Sequence, residues 1–131
     1  MERLIKVGKI KTKKSIDIKS SRIGLGFEKL DRDVFDPEKA YDRVAESGAK
    51  WARLQSGWQR TEKEKGVYDF EWLDKIVDKM ISIGVEPWLC LCYGNEIYSE
   101  DAKKVFGAVG VPPIFTEEER TAWLNYVNAT V

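Results

Sequence analysis

Residues 51–74 read WARLQSGWQRTEKEKGVYDFEWLD, and the order of residue types along this stretch decides the architecture. A short apolar strand over 49–55 ends near Arg53. A polar, lysine- and glutamate-rich connection follows, and Asp69 then caps a helix opening at Trp72-Leu73-Asp74. The helix presents Leu73, Ile76, Val77, Met80 and Ile81 at the three- and four-residue spacing of an inner face, and Gly84 ends it. A strand passing through a polar loop into an amphipathic helix is one βα unit.

The unit recurs on both sides. Upstream, Ile23 to Phe27 (IGLGF) is a compact apolar strand. Asp36-Pro37 supplies an N-cap acid and a proline at the first helical position. The spacing predicts a helix over Pro37 to Ser47, with Ala40, Tyr41, Val44 and Ala45 inward and Gly48 as its stop. Downstream, Val85 to Cys92 (VEPWLCLC) is nearly continuous in apolar residues, as expected of a strand covered on both faces. A long loop from Tyr93 to Phe115 precedes a third helix, opened by a capping box at Thr116 and Glu119 with Trp123, Tyr126 and Val127 inward. Strands alternating with helices imply parallel βαβ units with right-handed crossovers. Residues 3–18 alternate apolar residues and lysines, which predicts two short strands. The expected division is therefore an N-terminal β-hairpin (1–20) followed by three βα units (21–131).

Composition narrows the partners. The 131 residues carry 22 basic and 22 acidic side chains, so no global field draws nucleic acid. Residues 1–22 hold 8 Lys/Arg against 2 acids, but their strand-like alternation favours a solvated hairpin over a binding arm. No apolar run approaches the roughly 20 residues of a membrane span, and no signal-peptide core is visible. The only cysteines, Cys90 and Cys92, are too close for an ordinary staple, and the chain has no histidine to complete a zinc site. Reduced cysteines in a core, a cytoplasmic location and no metal or organic cofactor are the expectations.

The order W-x3-E-x3-G-x-Y-D-F-x-W-L-D, from Trp58 to Asp74, resembles the second βα unit of clan A glycoside hydrolases, including β-xylosidases of family 39 and β-galactosidases of family 42. The likeness covers most of the chain after residue 20 and is strongest over 51–95. It implies an α/β fold: part of a (β/α)8 TIM barrel, of the family 39, 42 or 5 kind. A whole barrel needs about 250 residues, so 131 residues amount to roughly half of that length. It also implies retaining hydrolysis of O-glycosidic bonds, in xylosides, galactosides or glucosides, through a covalent intermediate and two carboxyl groups about 5–5.5 Å apart. In the clan the acid/base glutamate, in an N-E pair, ends strand four and the nucleophile ends strand seven. Three units contain neither, and Asn95-Glu96 follows strand three, so no catalytic role is assigned within this chain. A non-enzymatic partial barrel that binds carbohydrate or assembles with another chain is the alternative.

Barrel chemistry sits where strands end in βα loops, which singles out Glu28, Arg53, Trp58, Tyr93 and Asn95 as candidate substrate-binding residues. The resemblance implies that Arg53 supports the nucleophilic glutamate; an ion pair with Glu28 or Glu62 is the competing role. Trp58 is either a stacking platform for sugar or a plug on the rim. Tyr93-Gly94-Asn95 resembles a substrate-contacting strand end, with Asn95 either a ligand to sugar hydroxyls or a loop-forming residue. Glu62 and Gly66 shape the intervening loop. An open three-stranded sheet leaves an edge and a face uncovered, so self-association or a further half of the protein is expected.

Overall fold

The computed structural model describes residues 5–131. Three strands, β1 (Gly24–Phe27), β2 (Trp51–Gln55) and β3 (Glu86–Cys90), form one sheet in the order β1-β2-β3. Both pairings are parallel, with Gly26 beside Arg53 and Arg53 beside Trp88. Between and after the strands run α1 (Tyr41–Ser47), α2 (Trp58–Thr61), α3 (Glu71–Ser82), α4 (Glu100–Lys103) and α5 (Glu117–Thr130). The chain is thus an α/β protein with an open parallel sheet, as the alternation of patterns predicts.

The helix signals act as read. Asp36 accepts the Glu38 N–H at the head of a 3-10 turn, Pro37–Lys39, which leads into α1, and Gly48 ends α1 at φ 75°. Asp69 accepts the Glu71 N–H before α3. Thr116 and Glu119 form the reciprocal capping box of α5. Side chains alternate across the sheet, so Leu25, Phe27, Ala52, Leu54 and Leu89 face the helices, where they pack with Tyr41, Val44, Ile76 and Met80.

Three expectations are corrected. The hairpin is absent among the described residues: 5–14 form no strand, and Ser15–Asp17 is a 3-10 turn. (Residues 1–4, with Leu4, lie outside the described residues.) A lone two-stranded hairpin is marginal without an apolar surface to cover, and Ile5, Val7 and Ile10 are exposed. The segment is instead held by short-range fits. Ser15 is buried and donates its hydroxyl to the Val44 carbonyl, while the lack of a side chain at Gly84 admits the Ile16 backbone.

The second correction concerns β3, which is covered on one face only. The other face of the sheet is open: Trp51 and Trp88 are 40% and 51% exposed. The third concerns connections read as loops. The 93–115 segment holds α4 and a 3-10 turn at Phe106–Ala108, and α2 follows β2 after the turn at Gly57, φ 58°. Elements of three or four residues are too short to carry a period. No helix among the described residues is long and apolar enough to cross a membrane.

Candidate functional site

The three strands end side by side, so the residues that follow them converge. Gly26, Arg53 and Trp88 are neighbours in register, and Glu28 follows β1 directly. Arg53 donates from Nε to Glu28 Oε1 at 2.8 Å, and a second guanidinium nitrogen bonds the same oxygen. That bond raises the Arg53 pKa above its ordinary value. The pair is half exposed and borders a groove of about 370 Å³ on the open face, lined also by Gly24, Gly26 and Trp88. Between the two partners weighed for Arg53, the geometry selects Glu28 over Glu62. A guanidinium with one carboxylate partner on an open face keeps donors for another anion or a hydroxyl.

Beside this pair, Gln55 is buried at the end of β2. Its Oε1 accepts the Lys29 N–H at 2.6 Å and its Nε2 donates to the Tyr93 hydroxyl at 2.8 Å. Glu28, Arg53, Gln55 and Tyr93 therefore form one polar group spanning all three strand ends. Gln55 is not among the five substrate-binding candidates, although the strand-end rule reaches it as the residue that closes β2. The available signal was its two-residue spacing from Arg53 on a strand, which puts both on one face.

Trp58 and Asn95 lie elsewhere. Trp58 is wholly buried, stacked between Tyr98 and Tyr126 and edge-on to Trp123, with ring centroids 5.4–5.7 Å apart. It has no exposed ring face to offer a sugar, so the plug reading describes its place. Asn95 is 1% exposed; its amide donates to the Glu62 carbonyl and its oxygen accepts the Ile97 N–H. Its side chain holds the loop. Glu62 is the loop's hub: its carboxylate accepts from Trp58 Nε1 (2.5 Å), the Gly66 N–H (2.7 Å) and the Tyr98 hydroxyl (2.6 Å).

A larger cleft, about 570 Å³, opens outside the strand ends between Asp31, Arg60, Trp72 and Phe106. Its charges are largely satisfied internally: Arg60 pairs with Asp33 at 3.0 Å and lies 4.2 Å over the Trp72 ring. Asp31 is the exception, with both carboxylate oxygens buried and no hydrogen bond. Burial raises its pKa, and Arg32 at 3.4 Å opposes the shift.

Cys90 is half-buried, whereas Cys92 is buried and its thiol is pushed up to about 11 by desolvation. Raising an acid's folded pKa above its unfolded value of 9.0 favours the protonated folded state. This contribution is complete below pH 9 and is lost as pH rises from 9 towards 11. At pH 8 a thiol reagent is expected to label Cys90 first and Cys92 only on unfolding. Equal labelling rates in the folded protein would contradict the burial of Cys92.

Residues 27–103 match the β-galactosidase family, glycoside hydrolase family 42, over more than half of the chain. The β-galactosidase BgaH of Haloferax lucentense is 35% identical over 54 residues. That alignment spans 40% of this chain and 8% of the relative, so the chain corresponds to a small part of that protein's length. No solved structure matches the chain. The match begins at the last residue of β1 and runs through β2, α3 and β3 to the end of α4, taking in Glu28, Arg53, Gln55 and Tyr93, and on that extent the chain belongs to glycoside hydrolase family 42.

Proposed function

We propose that residues 21–131 form the first three βα units of a (β/α)8 barrel that hydrolyses β-galactosides with retention. The remaining strands would supply the two carboxyl groups of the reaction. The observation carrying this reading is the polar group at the three strand ends, beside an uncovered sheet face, within a family-42 segment. In a barrel that face is the interior and those ends form the active-site floor. Glu28 supplies an acceptor, while Arg53 and Tyr93 supply donors, a set suited to sugar hydroxyls. With Arg53 placed beside the nucleophilic carboxylate, its cationic donors would keep that group ionised.

The test is hydrolysis of an aryl β-galactoside by the full-length gene product and by the 131-residue chain. Turnover is expected in the former and none in the latter. Arg53→Lys keeps the charge but loses the planar fork, and is expected to lower kcat/KM by about 10–100-fold. Activity in the isolated chain, or an unchanged Arg53→Lys enzyme, would overturn the assignment.

The exposed Trp51 and Trp88 also suit a partial barrel completed by another chain. Light scattering separates the two: a stable oligomer of the full-length product, with no galactoside turnover, favours the second reading.

A further inference from the structure

The hydrogen-bond polarity around Gln55 is fixed by its neighbours. The Lys29 backbone N–H can only donate, so the Gln55 atom facing it at 2.6 Å is the oxygen. The other end of the amide, 2.8 Å from the Tyr93 hydroxyl, is then the NH2 group, which also can only donate. The Tyr93 oxygen is therefore an acceptor in this contact, and its own proton is turned away from Gln55. No acceptor among the described residues takes that proton. Gln55 itself is 4% exposed, so its amide is held between these two partners, while Tyr93 remains partly exposed. Burial raises the Tyr93 pKa, and the hydroxyl keeps its proton across the neutral range.

We infer that Gln55 is a positioning residue that orients the Tyr93 hydroxyl as a hydrogen-bond donor to an oxygen of the ligand bound over the strand ends. The inference rests on the carbohydrate-binding reading proposed above, and it identifies that oxygen's role: an acceptor, such as a sugar hydroxyl or ring oxygen. Tyr93 is the group that touches the ligand, and Gln55 acts through it. Beside Tyr93, Glu28 provides an acceptor and Arg53 a donor. The three together would read adjacent hydroxyls of opposite polarity, and the direction of the Tyr93 proton decides one of them.

The discriminating substitution is Gln55→Glu. One carboxylate oxygen still accepts the Lys29 N–H, so the three strand ends stay joined. The other oxygen now accepts from Tyr93, which turns the phenolic proton inward. Tyr93→Phe removes the proton altogether. In the full-length protein, each change is expected to weaken binding of D-galactose, followed by calorimetry, by about tenfold, the effect of one lost hydrogen bond. The double variant should be no worse than either single one, because both remove the same donor. Melting temperature for Gln55→Glu should stay within a few degrees of wild type.

Additive losses, or a loss with Gln55→Glu but none with Tyr93→Phe, would overturn the inference and leave Gln55 a structural staple. Arg53→Lys separates the two levels of failure. If it weakens binding while Gln55→Glu and Tyr93→Phe do not, the orientation is wrong and the site reading stands. If the wild-type protein binds no galactose, both fall.

Discussion

Replacing Glu62 by alanine is expected to destabilise the fold by about 2–4 kcal/mol, because the buried Trp58 indole N–H is left unsatisfied, at about 1–3 kcal/mol, and the part-buried bonds from Gly66 and Tyr98 are lost with it, at about 0.5–1.5 kcal/mol each. Glu62 is wholly buried, and the groups it serves come from separate places: the α2 indole of Trp58, the Gly66 backbone and the Tyr98 hydroxyl beyond β3. The Glu62 backbone carbonyl also holds Asn95. The carboxylate therefore ties the second βα connection to the third. Glu62→Gln keeps one acceptor but sets its NH2 group against a donor, and about 1–2 kcal/mol is expected. Urea unfolding followed by tryptophan fluorescence measures both. Losses below 0.5 kcal/mol in each, on the order of an ordinary surface substitution, would mean that the hub is not formed.

The second large effect falls on Trp58. Removing a fully buried tryptophan typically costs about 3–5 kcal/mol, and here three aromatic rings lose a shared neighbour. Trp58→Phe keeps most of the stacking and loses the indole N–H bond to Glu62, so a smaller loss, about 1–2 kcal/mol, is expected. The two sites are one network, and the double variant Trp58→Ala with Glu62→Ala should cost less than the sum of the singles. A stacking platform for sugar would behave differently. Trp58→Ala would then weaken ligand binding and leave the unfolding midpoint in place.

These two residues show where sequence reading stopped. Trp58 and Glu62 stand four apart in a polar connection, and local pattern offers either rim function or loop shape. The burial of Trp58 depends on Tyr98, Trp123 and Tyr126, which lie 40 to 68 residues further on, and the Glu62 carboxylate meets Tyr98 36 residues on. Asn95 shows the same limit. Tyr-Gly-Asn at a strand end suits a ligand, yet the amide is occupied by a carbonyl 33 residues back. Gln55 is the converse: an inconspicuous polar residue at the end of an apolar strand, whose two partners belong to the loops after β1 and β3.

What the sequence determined by itself is the set of local elements and their order. Asp36-Pro37, the Thr116–Glu119 capping box and the stops at Gly48 and Gly84 act within a few residues of themselves, so their physics is complete in the local string. The alternation of short apolar runs with helical periods then leaves a parallel sheet as the way to satisfy the strands. The leading segment departs from its alternating pattern because alternation alone cannot supply the surface a hairpin needs. Only the tertiary structure decided which polar residues meet. Hydrogen bonds between strand ends join residues 25 to 38 positions apart, and which side chain is buried against which follows from the register of three strands together.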